Sequence, residues 1–324
     1  MFDKITIRAK VTDAECAHLA RVHRLQVWVN EDGSKVEYRS SQYSNITGVE
    51  VRIARNTATI SVSLHKFWNE RARGVLRNDD LFTVSAAKAA FGMLLFENGF
   101  LPEKTRVVRF EIGLNLPVTH DPITFIEKVL YMTGKDNNRL MFIDANYWIN
   151  RQRTTAKYRT LRKYFKIYDK KWEMMEKRRG GDEAMKRREE GSHGPHVLRI
   201  ESVYKRHSEP GQTFFSDKNV ERLVNRFYVD WKDLFFEKKI RADKGARKSE
   251  VDRARFIVNF GKNDLMEKAE NEYISGYITA KQYRTIREFV RDWGDNAHRF
   301  KVVTSPQERE FKRLLMQEFQ KAKM

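Results

Sequence analysis

The sequence predicts an α+β protein: a central, mostly antiparallel sheet with helices packed on it, followed by a helical C-terminal domain. Three observations carry that prediction. Segments within residues 36–64, 106–118 and 196–205 alternate apolar and polar side chains with the period of half-buried strands. Residues 83–98 instead place Ala86, Ala87, Ala90, Phe91, Leu94 and Leu95 along one helical stripe suited to covering a sheet. Beyond residue 217 the pattern is mostly helical, so the division is expected as 1–215, with a core of about 35–207, and 216–324.

Taken in order, residues 4–9 read as a short strand and 13–27 as a helix capped by Thr12 or Asp13. Residues 36–43 and 49–64 read as strands, the second run bent at Arg55-Asn56 like a hairpin, with Thr59, Ser61, Ser63 and His65 on its polar side. A basic loop is expected over 69–77, and the helix over 83–98 stops at Gly99. In 106–118, Val108, Phe110, Ile112 and Leu114 alternate with Arg109, Glu111, Gly113 and Asn115. Asp121-Pro122 opens a helix over 123–132, and residues 140–145 form a further strand. Residues 163–168 are assigned to a strand that turns into a helix near Lys170, although a long helix competes, and 177–194 to a charged helix end and mobile loop. Leu198 and Ile200 face opposite to Arg199, Glu201, Val203 and Lys205. A helix is expected over 219–239 and a basic linker over 241–248. A helical hairpin over 264–293, with Thr279 as the second N-cap, and a last amphipathic helix over 306–321 follow.

Lysine and arginine number 63 against 44 aspartates and glutamates, a formal charge of +19 that points to a polyanionic partner. No apolar run approaches the roughly 18 residues of a membrane span, and no signal-peptide pattern opens the chain. With Cys16 the single cysteine, neither an intrachain disulfide nor a cysteine zinc cluster can form, which fits a reducing cytoplasm. An aromatic share of 12% supplies a core and rings able to stack on bases. Nucleic acid is the expected partner, and no membrane.

The stretch KYFKIYDKKWE, residues 163–173, places Tyr164, Lys166, Tyr168 and Lys170 on one strand face, with a phenol between two ammonium groups. Cationic neighbours favour a phenolate and hold a phosphate, so Tyr168 is a candidate nucleophile toward a phosphodiester, with Lys170 stabilising the developing charge. Glu111 and Glu201 sit in two matching Arg-apolar-Glu strands and are candidate ligands of one Mg2+ or Mn2+ ion. Arg109, Lys166 and Arg199 would hold flanking phosphates. The third ligand is open among His65, Asn115, Asp169 and Glu173, and Tyr164 is the rival phenol.

From the strand hairpin through SAAKAAFGMLLFENGF, VVRFEIGLNL and FKIYDKKWE to LRIESVYK, the order of motifs resembles the replication initiators of filamentous phages and related rolling-circle plasmids. The resemblance spans about residues 50–205. It implies a nicking and closing endonuclease distantly related to the histidine-hydrophobe-histidine superfamily, built on that superfamily's nicking domain. Tyr168 falls at the nucleophile, Glu111 and Glu201 at the acidic strand positions. The superfamily's His-apolar-His triplet is missing from this sequence, so metal ligation would rest on carboxylates. The implied partners are single- or double-stranded origin DNA and, by analogy, a host helicase in a bacterial cytoplasm; the C-terminal helices would add DNA contacts or serve an accessory role. Two rival readings are a non-catalytic DNA-binding protein, a repressor or packaging factor whose glutamates merely pair with Arg109 and Arg199, and an RNA-binding structural protein.

Overall fold

A computed structural model describes the chain apart from residues 30, 32, 34–35, 41–47, 76–77, 134–138, 142–147, 150–151, 154, 160–162 and 180–195. It is an α+β fold. The strands are β1 (Phe2–Lys10), β2 (Gln26–Val29), β3 (Val36–Arg39), β4 (Val49–Ala54), β5 (Thr57–Ser63), β6 (Thr105–Val118), β7 (Val129–Thr133) and β8 (Arg139–Met141). Next come β9 (Trp148–Ile149), β10 (Gln152–Arg153), β11 (Thr155–Arg159), β12 (Lys163–Asp169), β13 (His196–Tyr204) and β14 (Glu209–Pro210). Ten of them form one sheet, in the order β11-β12-β13-β6-β1-β5-β4-β3-β2 with β14 also on β6. The order places the N-terminal strand β1 at the centre, between β6 and β5 and antiparallel to both.

The alternation read from sequence becomes two faces. Ile5, Ile7, Val51, Ile60, Val62, Phe110, Ile112, Ile167 and Ile200 are buried on one. Helix α3 (Val84–Glu97), capped by the Thr83 hydroxyl, contributes Phe91 to the aromatic cluster that Phe2, Phe110, Phe214 and Phe215 build there. The hairpin β4–β5 turns at Arg55 and Asn56, both with positive φ (49° and 53°), the backbone that matches the twist of two antiparallel strands.

The chain divides into two compact units, Met1–Leu234 with Phe311–Met324, and Phe235–Glu310. A division at residue 215 would detach the helix Asp217–Lys232, yet Leu223, Val224, Phe227 and Trp231 are buried, and Trp231 Nε1 donates to Ser202 Oγ on β13 at 3.0 Å. The second unit pairs Lys239–Ala242 with Phe300–Val303 and carries the helices Lys248–Phe260, Lys262–Ile274 and Ala280–Arg291, the last opened by a Thr279 capping box. Among the described residues no helix is long and apolar enough to cross a membrane.

Several local expectations change. The helix α1 (Asp13–Val22), capped by Thr12, stops before residue 26, and β2 takes the remainder to the sheet edge. Residues 64–73, expected as strand end and loop, form helix α2 (Leu64–Arg73) because the Ser63 hydroxyl accepts from Lys66 N and Gly74 (φ 68°) ends it in the left-handed region. The helix expected over 123–132 is only α4 (Pro122–Ile126); the following VLYMT is rich in strand formers and pairs as β7 with β8. Residues 239–242, expected at a helix end and in a linker, are a strand. Of the strand expected at 140–145, residues 142–145 lie outside the described residues, as do 180–194 of the expected charged loop.

Candidate active site

Three strands place the side chains singled out in the sequence on the polar face. In register, Tyr168 lies opposite Arg199 and Arg199 opposite Asn115; one row on, Lys166 faces Glu201 and Glu201 faces Gly113. In the next row Tyr164 faces Val203, and Val203 faces Glu111. Helix α5 (Lys170–Arg179) follows β12 directly, its first turn held by Asp169, whose carboxylate accepts from Trp172 N at 3.0 Å.

These residues form a chain of charge-assisted bonds. The Tyr168 hydroxyl donates to Glu201 Oε1 at 2.7 Å, and Arg199 Nε donates to the same oxygen at 2.6 Å. Lys166 Nζ pairs with Glu201 Oε2 and lies 3.5 Å from Glu111 Oε2, while Arg109 Nη2 holds Glu111 Oε1 at 2.6 Å. Arg199 also donates to Asn115 Oδ1 at 2.8 Å and to Asp3 Oδ2. Asp3 in turn accepts from Ser63 Oγ at 2.6 Å. Gly113 makes the crossing possible: a Cβ there would sit 2.9 Å from Arg199 Nη2 and 3.0 Å from Glu201 Cγ.

Burial sets the electrostatics. Glu201 and Arg199 are each 2% exposed and Tyr168 8%. Burial and the Glu201 carboxylate push the Tyr168 phenol well above its ordinary range. This corrects the expectation of a phenolate favoured by flanking lysines: Lys166 is turned onto the two glutamates and Lys170 onto Glu173 at 2.7 Å. Burial opposes ionisation of Glu201, but Lys166 and Arg199 outweigh it and bring the group down to about 2. Lys170 is itself buried, which lowers its ammonium, with Arg199 adding to the effect.

Glu111 and Glu201 do share a face, as a common cation site requires, but their oxygens are taken. Lys166 lies against both, Arg109 holds Glu111, and Arg199 and Tyr168 hold Glu201. Among the described residues no three His, Cys, Asp or Glu side chains gather as a cation site. The arrangement does not fit a resident Mg2+ or Mn2+ ion; it is a salt-bridge network. The four candidates for a third ligand are also engaged elsewhere. His65, expected on a polar strand face, is buried on α2, bonded to Asp80 Oδ1 at 2.7 Å and stacked on Phe82. Asn115 accepts from Arg199, Asp169 caps α5 and Glu173 accepts from Lys170. Arg199, expected to hold a phosphate, spends its guanidinium inside the network.

Asp3 is the member that sequence reasoning missed. Its signal was a carboxylate at the start of an otherwise alternating strand; in the fold the β1–β6 register shifts between Phe2 and Ile5, and Asp3 meets Arg199, 196 residues away. Beside it lies a cleft of about 60 Å³ lined in part by Asp3, His65, Asp80, Asn115 and Arg199. That is well under the roughly 300 Å³ at which small-molecule pockets begin.

No family model matches the sequence, and no curated protein matches it. Among solved structures the chain is similar to the rolling circle replication initiator protein from Geobacillus stearothermophilus, with 9% identity, 76% of this chain and 88% of that chain covered, and a TM-score of 0.37. A likeness that low carries no argument about chemistry, which rests on the side chains described above.

Proposed function

We propose that the protein initiates rolling-circle replication by nicking one DNA strand at an origin through Tyr168 and later rejoining it. The observation that carries this reading is the hydrogen bond from the Tyr168 hydroxyl to Glu201 Oε1, on a polar sheet face of a chain whose charge is +19. A phenol so held is oriented for attack on phosphorus, and its proton passes to solvent as the O–P bond forms. The Tyr168 O–P bond forms, the P–O3′ bond breaks, and the 3′-oxygen leaves and is protonated by solvent. The products are a 5′-phosphotyrosine and a 3′-hydroxyl, and attack by a 3′-hydroxyl reverses the step. Lys166 and Lys170, whose ammonium groups lie 5.8 and 5.9 Å from the Tyr168 ring, supply positive charge to the phosphorane. Arg109, with its side chain 35% exposed, is placed to hold a flanking phosphate. Arg199 and Asp3 orient Glu201. Because the phenol is 8% exposed, a strand reaches it only after side chains at the site are displaced on docking.

The order of motifs shared with filamentous-phage and plasmid initiators supports the same reading. The test is incubation with origin-bearing DNA, with and without magnesium, followed by denaturing electrophoresis. A covalent adduct is expected with the wild type and none with Tyr168→Phe; an adduct that persists in Tyr168→Phe and vanishes in Tyr164→Phe moves the nucleophile to Tyr164.

One observation favours a second reading, a non-catalytic DNA-binding protein: both glutamates pair with the arginines two residues before them. On that reading no adduct forms under any condition, and Glu111→Gln leaves DNA affinity unchanged or raises it.

A further inference from the structure

The polar face of the same sheet carries a second charged arrangement, away from Tyr168, that the nicking chemistry does not use. Strand register brings arginines that are distant in sequence into one row. Arg39 lies opposite Arg52, Arg52 opposite Thr59, Thr59 opposite Arg8, and Arg8 opposite Arg106. The row runs straight across β3, β4, β5, β1 and β6. At roughly 4.8 Å per strand it is about 19 Å long.

Like charges on directly opposed residues destabilise a sheet unless something offsets them. Here the offset is partial. Glu37, 3% exposed, holds both Arg39 and Arg52, whose side chains remain 45% and 52% exposed. Arg106 is exposed and donates to the Ser208 hydroxyl at 2.9 Å and to the Ser208 carbonyl, neither of them charged. Arg8 is exposed and pairs with no described carboxylate. The next row holds Glu50, Ser61, Thr6 and Arg109, so one further carboxylate and two hydroxyls border the arginines. Arg109 links this row to Glu111 and thus to the Tyr168 network.

At the far end stands an aromatic ring. Trp28 on edge strand β2 lies opposite Glu37, so it shares the arginine face; it is 54% exposed, with the Arg39 guanidinium 5.6 Å from its ring centroid. A row of guanidiniums only partly neutralised that ends at an exposed indole is what a single strand requires: cations spaced along a phosphate backbone and a flat surface for an unpaired base. A duplex keeps its bases stacked on each other and has no use for the indole.

We propose that this face is a single-stranded DNA track, with phosphates on Arg8, Arg106 and the Arg39–Arg52 pair, a base stacked on Trp28, and the strand led by Arg109 toward Tyr168. The inference rests on DNA as substrate but not on the covalent step. An adduct-forming protein whose binding ignores these side chains keeps the nicking reading and loses this one; selective binding without an adduct does the reverse.

The experiment is fluorescence anisotropy of a labelled 20-nucleotide oligothymidylate, and of a hairpin duplex of similar length, titrated with the full chain across a salt series. In Arg8→Ala/Arg106→Ala, single-strand affinity should fall at least tenfold, and the slope of log affinity against log salt should flatten by about 1.4, two contacts at ~0.7 each. Arg8→Lys/Arg106→Lys should restore the slope, which separates charge from folding. Trp28→Ala should weaken binding about tenfold with the slope unchanged. Unchanged binding in the alanine variants, a lysine variant that fails like the alanine one, or a loss on the duplex as large as on the single strand would each overturn the proposal.

Discussion

Two regions of one polar sheet face handle charge in opposite ways. Around Glu201 every charge is matched and sealed: Lys166, Arg199 and Tyr168 converge on one carboxylate, and Asp3 balances the far side of Arg199. Across β3, β4, β5, β1 and β6 the guanidiniums stand in water, with Glu37 the carboxylate shared by two of them. A buried charge is tolerable only when paired, and it then fixes geometry; an exposed one keeps its solvation and remains free to trade water for a phosphate. The sealed region is suited to orienting a reactive group and the open one to capturing a strand.

The sealed network depends most on Glu201. Glu201→Ala leaves Lys166 to Glu111 and Arg199 to Asp3 with no carboxylate between the two cations, so urea unfolding should show a loss of about 3–5 kcal/mol; a loss under 1 kcal/mol would mean that water already reaches the network. Acid tests the same contact by titration. Glu201 is held near 2 against an ordinary 4.5, so its stabilisation is complete above about 4.5 and disappears as pH falls toward 2. Melting temperature should therefore fall steeply over that window, and Glu201→Gln should flatten this part of the profile. Gly113→Ala should cost about 1–3 kcal/mol, because its methyl would press on Arg199, Glu201 and the Ile200 carbonyl, 3.1 Å away. Arg8→Ala probes the open row: with no ion pair among the described residues to lose, it should change stability by no more than about 0.5 kcal/mol while weakening DNA binding.

Much of the sheet was legible because its code is local. Two-residue alternation in β5, β6, β12 and β13 marks which side chains share a face, and Thr12 and Thr279 mark helix starts by hydroxyls that accept from the first turn. Misreadings came where local signals compete. Residues 64–73 follow a strand without a break, and only the Ser63 cap shows that the chain has turned into a helix. Residues 129–133 continue a helical spacing, and pairing with β8 overrides it.

Sequence alone places Glu111 and Glu201 at polar positions of strands, which follows from each residue and its two neighbours on either side, and it favours the same for Lys166 and Tyr168 against a competing helix. Only the tertiary structure decided what they touch. Strand order and register set Lys166 beside both glutamates, brought Asp3 across to Arg199 and aligned Arg8 with Arg106 and Arg52. Those contacts join residues dozens to nearly two hundred positions apart. Alternation within one strand carries no information about which strand will lie beside it; shape and burial over the whole sheet make that choice.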